Sequence, residues 1–291
     1  MRIMLIANPI SGGGARAKIQ EATRVLRESC AEVDLYVTQG SGDARHAASE
    51  AAAHGYDRLV VAGGDGTLNE VMNGIVPTDL PVAFLPMGTV NVFALETGIP
   101  FGLNQACQLA IHGRPRRVHL GKIDGQIFLL MASAGWDAEA VARLRPDLKR
   151  WIGRGAYVFA AFEALLTGPM PPIQVIFSSG ETVSGYGVVA SNCRYYGGRY
   201  VVTPSASIFD DTLQVCVFRQ PGRLAWLRIA LSLALKRALR PPAVSFHRAK
   251  SLHVIGDDVS VQVDGDVSGA LPVTIDALPN AASIILPEMD Q

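Results

Sequence analysis

The first 112 residues alternate between short strand-like runs and alanine-rich stretches with helical spacing. The runs cover residues 3–7, 33–37, 59–62 and 82–85, and the helical stretches cover 15–29, 43–54 and 68–73. Runs such as "LVVA" and "VAFL" are apolar at successive positions, so both faces of the sheet they form must be covered. Helices between the strands supply that cover. A crossover long enough to hold a helix also returns the chain to the same end of the sheet, which makes the pairing parallel. Residues 1–112 are therefore predicted to form an α/β domain on a parallel sheet.

After Pro115 the texture changes. "VHLGKIDGQIFLLMAS" carries Asp124-Gly125, a two-residue hairpin signal, and is followed by "IQVIF", "TVSGYGVVAS", "LQVCVF", "SLHVIG" and "VSVQVDG". This pattern predicts a mostly antiparallel β domain over 113–276, interrupted by helices near 147–167 and 223–240. A chain of 291 residues that is 49% hydrophobic can fill two such cores.

Bulk charge and cysteine usage exclude several classes. Lys plus Arg equals Asp plus Glu at 26 each, so no basic field points to nucleic acid as a partner. Cys30, Cys107, Cys193 and Cys216 stand singly, without metal-binding spacing, as expected of a reduced, cytoplasmic protein. The apolar N-terminal run is too short for a secretory segment, and no uninterrupted apolar window reaches the ~18 residues of a membrane span.

Chemistry is concentrated where strands end. "LVVAGGDGTLNEVMNG" runs from strand into helix through Gly63, Gly64, Asp65 and Gly66. Glycines there expose backbone N–H groups, and the positive end of the following helix points at the same place, which suits a phosphate. Asp65 repels phosphate. It has a role there if it holds Mg²⁺ or accepts a proton from an attacking hydroxyl, or it is simply a helix cap. A second loop, "ANPISGGGARA", formally satisfies G-x-G-x-x-A with Gly12, Gly14 and Ala17, but Asn8-Pro9-Ile10-Ser11 separate it from the strand end. That spacing argues against a dinucleotide fingerprint, and without Gly-Lys-Ser/Thr there is no P-loop. A third loop, "LPMGTVNVFA", places Gly88 and Thr89 after another strand. Near the C-terminus, "VDGD" sets Asp264 and Asp266 one residue apart. On an extended chain they share a face and can orient a hydroxyl, whereas in a hairpin they flank a turn.

Together these motifs resemble the diacylglycerol kinase catalytic-domain family of lipid kinases, which includes bacterial soluble diacylglycerol kinases and the sphingosine and ceramide kinases. The resemblance spans nearly the whole chain, through "NPISGG", "VTQGSGDARHAA", "GGDGTLNEVMNG", "PMGTVNVFA", "GWDAEAV", "PSASIFDDTLQV" and "VQVDGD". It implies an N-terminal domain like that of NAD kinases and phosphofructokinases. It also implies a C-terminal β-sandwich that accepts lipid, an active site in the cleft between the two, and a return of residues 277–291 to the first domain. ATP and Mg²⁺ are the implied cofactors. The implied nucleotide contacts are Asn8, Pro9, Ser11, Gly12, Thr38, Gly64, Asp65, Gly66, Thr67, Leu68, Asn69, Glu70 and Thr89. Asp266 takes the place of the family's proton-accepting glutamate, with Asp264 and Asp65 as further catalytic candidates. Asp137 and Val92 are substrate-side candidates. Asp210, with the oxygens of Ser207 and Thr212, matches a structural Mg²⁺ site of some members.

This sequence departs from the family pattern at three places: Val92 stands for an aspartate, Asp266 for a glutamate, and "DDTLQV" for "DGxLDV". The expected function is an ATP-dependent lipid kinase acting on a diacylglycerol-like hydroxyl at a membrane surface. The alternatives are a sphingosine- or ceramide-type kinase, a relative of NAD kinase, or a nucleotide- or lipid-binding protein that has lost turnover. Residues 223–240 carry five cations, no acid and a leucine stripe beside Trp226. They form either an interfacial helix on anionic membrane or a helix packed on the β domain with its cations solvated. Residues 143–166 have a similar build. A homodimer is compatible with this reading.

Overall fold

The computed structural model describes residues 1–29, 32–135, 138 and 171–288. The chain divides into two compact units, Met1–His119 with Asn280–Gln291, and Leu120–Pro279.

The first unit is the parallel α/β layer expected from the strand and helix alternation. It contains β1 (Arg2–Ala7), α1 (Ala15–Ser29), β2 (Glu32–Val37), α2 (Asp43–Ala53), β3 (Arg58–Gly63), α3 (Asp65–Ile75), β4 (Val82–Pro86), α4 (Val92–Thr97) and α5 (Leu103–His112). The strands lie in the order β2-β1-β3-β4, all parallel. The end of β18 (Val273–Leu286) adds to β4 with Ile284 opposite Val82. Leu59, Val60, Val61 and Ala62 are wholly buried, which is why this run reads as apolar at every position. On one face Ile3, Leu5, Val60 and Leu85 pack with Ile19, Leu26 and Cys107 from α1 and α5. This packing aligns the C-terminal ends of β1, β3 and β4, each of which opens into a glycine loop.

The second unit is an antiparallel sandwich. One sheet holds β8 (Ile173–Phe177), β9 (Thr182–Gly185), β15 (Ser251–Ile255) and the first part of β18, with β5 (Arg114–Ile123) paired to β18 and to β6 (Gln126–Phe128). The other holds β7 (Met131–Gly135), β10 (Gly187–Ser191), β13 (Leu213–Phe218), β14 (Val244–Ala249), β16 (Ser260–Val263) and β17 (Asp266–Ala270), in the order β14-β13-β10-β7-β16-β17. Val175, Val188, Val215, Val254, Val261 and Ile275 are among the side chains that fill the core cluster of this unit. A short ribbon, β11 (Tyr195–Tyr196) with β12 (Tyr200–Val201), stands beside it. Asp124 and Gly125 both have positive φ, 43° and 92°, as the hairpin signal requires.

One sequence expectation for a helix changes. The basic helix near the C-terminal third, α6, covers Arg223–Ala234 rather than reaching 240. It ends in a Schellman motif: Lys236 adopts φ 53°, its N–H reaches the carbonyl of Leu233, and Arg237 N–H reaches Ser232. Leu239 is buried beyond the helix and does not belong to its stripe. The helix expected near 147–167, and the basic-then-apolar stretch 143–166 that overlaps it, lie outside the described residues.

Candidate functional site

The glycine loops of the first unit meet one another through bare backbone. A Cβ on Gly12, where φ is 78°, would sit 2.4 Å from the Met87 carbonyl oxygen, and one on Gly88 would sit 2.9 Å from the Gly64 Cα. Gly12 and Gly88 are thus glycines because the loops after β1, β3 and β4 pack that closely. Gly66 has nothing within 4 Å of where its Cβ would be and is exposed, so this position keeps its backbone open to a ligand. Asn91 locks the third loop: its Oδ1 accepts the Gly88 N–H at 2.9 Å and its Nδ2 donates to the Gly88 carbonyl at 2.8 Å. Asn91 holds φ 52°, which asparagine tolerates better than most residues.

Asp65 is the first residue of α3 and its carboxylate serves a different helix. Oδ2 accepts the N–H of Val92 at 2.7 Å and Oδ1 that of Phe93 at 3.0 Å, the first two residues of α4. The cap expected at Asp65 is present, but on α4, while the N-cap of α3 is Gly64. Burial pushes the Asp65 pKa up, and the two amide bonds pull it back only in part. Val92 is 5% exposed and packs inward, so what it offers this neighbourhood is its amide.

A cavity of about 280 Å³ opens beside these loops. Of the expected nucleotide contacts, Asn8, Pro9, Thr38, Thr67 and Glu70 line it. Asn8 is held by a bond from its Nδ2 to Thr67 Oγ1 at 3.1 Å and by accepting the Ile10 N–H at 3.1 Å. The opposite wall is Gln39, Gly40, Ser41 and Ala44, of which the sequence reading singled out none. Asp43 shapes that wall by accepting the N–H groups of Gln39 and Gly40 at 2.7 and 3.0 Å. The signal was present in "TQGSGD", a turn-rich run with an acid poised to cap it.

The first bond inside α3 runs from Leu68 N–H to Gly64, which leaves the N–H groups of Asp65, Gly66 and Thr67 outside the ladder at the positive end of the helix. The remaining expected contacts do not line the cavity. Leu68 is wholly buried, Asn69 accepts from Asn73 Nδ2 through its carbonyl and its Oδ1, Thr89 is exposed, and Ser11, Gly12 and Gly64 belong to the packed loops.

In the second unit the "VDGD" motif is a hairpin. Asp264 and Gly265 have φ 48° and 92° and form the two-residue turn between β16 and β17, so the pair does not share the face of an extended strand. The consequence is a division of labour. Both Asp264 oxygens are engaged: Oδ2 accepts from Leu129 at 2.7 Å, and Oδ1 from Leu130 and Met131 at 2.8 and 2.9 Å. Asn192 grips the same segment from its other side. Its N–H donates to the Leu130 carbonyl at 2.9 Å and its Nδ2 to that of Leu129 at 3.5 Å. Asp266 is exposed at the start of β17, with no side-chain hydrogen bond to a described residue. Sequence reasoning missed Asn192, whose partners lie more than sixty residues away, and Asn91, whose bonds to Gly88 three residues earlier close a turn that the run "GTVN" could have signalled. Asp137 lies outside the described residues.

The donors at Ser207, Asp210 and Thr212 do not fit a resident Mg²⁺. The Ser207 carbonyl accepts the Asp210 N–H at 3.0 Å, Asp210 pairs with Arg248 Nη1 at 3.2 Å, and Asp211 pairs with Lys250 at 2.8 Å. The one expected carboxylate ligand already faces a guanidinium, and a hard dication needs about six oxygens. Among the described residues no three acidic, histidine or cysteine side chains cluster for a metal.

Residues 2–123 match the diacylglycerol kinase catalytic domain, and residues 131–286 match the YegS C-terminal NAD kinase beta sandwich-like domain. A curated diacylglycerol kinase of Staphylococcus saprophyticus is 30% identical, covering 93% of this chain and 90% of its own. The Mycobacterium tuberculosis diacylglycerol kinase is 29% identical over 98% of this chain and 95% of its own. Among solved structures, a Bacillus anthracis diacylglycerol kinase superposes with TM-score 0.76 at 22% identity, covering 98% and 97% of the two chains. An Archaeoglobus fulgidus NAD kinase in complex with ATP superposes with TM-score 0.53 at 14% identity, covering 99% and 94%.

Proposed function

Because this chain belongs to the diacylglycerol kinase family and is a lipid kinase, we propose that it transfers the γ-phosphoryl group of ATP to the hydroxyl of a diacylglycerol-like lipid at a membrane surface. The observation that carries this reading is the cavity beside α3, with free N–H groups at a helix start and polar walls at Asn8, Thr38 and Glu70. Phosphates take the helix end, where the dipole and the bare amides favour negative charge. Glu70, a carboxylate in the wall, suits hydroxyl groups of the nucleotide better than its phosphates. Mg²⁺ carried by the triphosphate, with no side-chain cluster of its own among the described residues, would supply charge neutralisation at the transferring group.

Asp266 is the proton acceptor in this proposal. As the lipid oxygen bonds to the γ-phosphorus and the bond to the β-phosphate oxygen breaks, the hydroxyl proton passes to the Asp266 carboxylate and ADP departs. Asp264 acts through the hairpin by holding the residue that does this work. Asp65, whose oxygens serve the amides of α4, holds the third loop in register instead of competing for the proton. Asp137 remains the substrate-side candidate, whereas Val92, buried and with its amide on Asp65, supports the third loop.

The test is incubation of labelled ATP with mixed micelles that present diacylglycerol, ceramide and sphingosine separately, with NAD⁺ as a water-soluble acceptor. Labelled phosphatidic acid is the expected product. Label in ceramide, sphingosine or NAD⁺ replaces the acceptor, and ATP binding without transfer overturns the kinase proposal.

A further inference from the structure

Helix α6 is apolar on two opposite faces. At about 100° per residue, Ala225, Trp226 and Ile229 fall on one side and Leu224, Leu227, Leu231 and, at the cap, Leu235 on the other. The first set is buried, with Trp226 only 3% exposed and its ring 4.9 Å from that of Phe218 in β13. The four leucines are 71%, 49%, 56% and 53% exposed. A helix apolar all round belongs in a core or in lipid, and this one is half in a core. Val201 of the neighbouring β12, which packs against α6, is also exposed.

We infer that this leucine face docks the protein on an anionic lipid bilayer, with Leu224, Leu227, Leu231 and Leu235 inserted at the headgroup boundary. Charge selects this occupant. Residues 223–240 contain Arg223, Arg228, Lys236, Arg237 and Arg240 and no acid, and all five cations are exposed. Arg228, Lys236, Arg237 and Arg240 form no ion pair with a described residue, so their field is not neutralised locally. Exposed leucines flanked by unneutralised cations match a surface of apolar chains beneath anionic headgroups. The Schellman turn contributes by ending the helix before Lys236 and Arg237, which leaves both free to reach headgroups beside the inserted stripe. Trp226 faces the protein and is not the anchor that its place in a basic, leucine-rich run suggests. The biological purpose of this docking rests on the lipid-kinase reading, whereas its physical basis does not.

The experiment uses the full chain and vesicles of phosphatidylcholine with or without phosphatidylglycerol, in co-sedimentation without ATP. Leu227→Gln with Leu231→Gln removes two insertions from an exposed face, so the fold by circular dichroism should persist and vesicle partition should fall at least ~10-fold. Arg228→Gln with Lys236→Gln and Arg237→Gln should abolish the preference for phosphatidylglycerol and flatten the salt dependence. Transfer to a short-chain diacylglycerol dissolved in water should stay unchanged in both variants. Wild-type partition by the leucine variant overturns the proposal. So does a leucine variant that turns a dimer into a monomer by sedimentation velocity while still binding vesicles, because the face is then a contact between two copies of the chain. Vesicle binding that depends on these residues in a protein that phosphorylates no lipid leaves docking standing and refutes the kinase reading alone.

Discussion

Replacing Asp264 and Asp266 one at a time should separate holding from chemistry. Asp264 accepts three backbone N–H groups at 2.7, 2.8 and 2.9 Å, all from the 129–131 segment. Hydrogen bonds to a charged acceptor contribute about 1.5–3 kcal/mol each. The turn is half-buried, and one or two of the released amides can recruit water, so Asp264→Ala should destabilise the protein by about 3–5 kcal/mol. Asp264→Asn keeps one oxygen for Leu130 and Met131 but turns an N–H₂ group toward the Leu129 N–H, and should destabilise it by about 2 kcal/mol. Against a typical stability of about 5–15 kcal/mol these are large fractions. Asp266 is exposed with no such bonds, so Asp266→Asn should change stability by less than about 0.5 kcal/mol. Its turnover should nevertheless fall at least ~100-fold, because the amide cannot take a proton. The assay pairs urea unfolding of each variant with turnover per folded molecule. The division of roles fails if Asp264→Ala unfolds like wild type, or if Asp266→Asn retains full turnover.

Three further outcomes follow from the same geometry. The Asp65 pKa is raised in the fold, so the stability this group contributes is present below its unfolded value and is lost as pH rises through its folded value. Asp65→Asn should therefore lose less stability than wild type in urea unfolding as pH rises above the ordinary carboxylate range, while weakening nucleotide turnover through α4. Equal slopes for the two proteins would remove the burial argument. Gly12→Ala adds a Cβ 2.4 Å from the Met87 oxygen at a φ of 78°, and should lower stability by at least about 2 kcal/mol and weaken ATP binding measured by calorimetry. Without nucleotide, Mg²⁺ or EDTA should leave the melting temperature unchanged, since Arg248 already faces Asp210; a clear rise with Mg²⁺ would restore a resident metal site.

Backbone pattern was the part of this molecule most legible from sequence. The runs that became β1, β3 and β4 are buried on both faces, and burial on both faces is what makes a run apolar throughout. The Asp124-Gly125 turn was legible because two consecutive positive φ values need special residues. Asp264-Gly265 carries the same signal, so the separation of Asp264 from Asp266 followed from the turn type once the hairpin was granted. The partners of Asp65 and Asp264 were not legible, because they lie 27 and about 134 residues away, and hydrogen bonds across such distances leave no periodicity. Trp226 shows a different limit. The spacing of α6 reveals two apolar faces but not which one meets the sheet, and only the ring contact with Phe218 decides.

The backbone contacts among the three glycine loops also bear on how such an enzyme can change. Gly12 meets Met87, and Gly88 meets Gly64, with no side chain between them to vary. A mutation at any of these contacts disturbs two loops at once, so this floor of the first unit is closed to gradual exploration. The wall at Gln39, Gly40, Ser41 and Ala44 faces the cavity beside these loops, and Asp43 shapes it by capping its own turn. Among the described residues that line the cavity, this turn is a place where variation disturbs one loop at a time, so a library meant to alter nucleotide choice should randomise 39–41 and 44 while leaving the glycines alone.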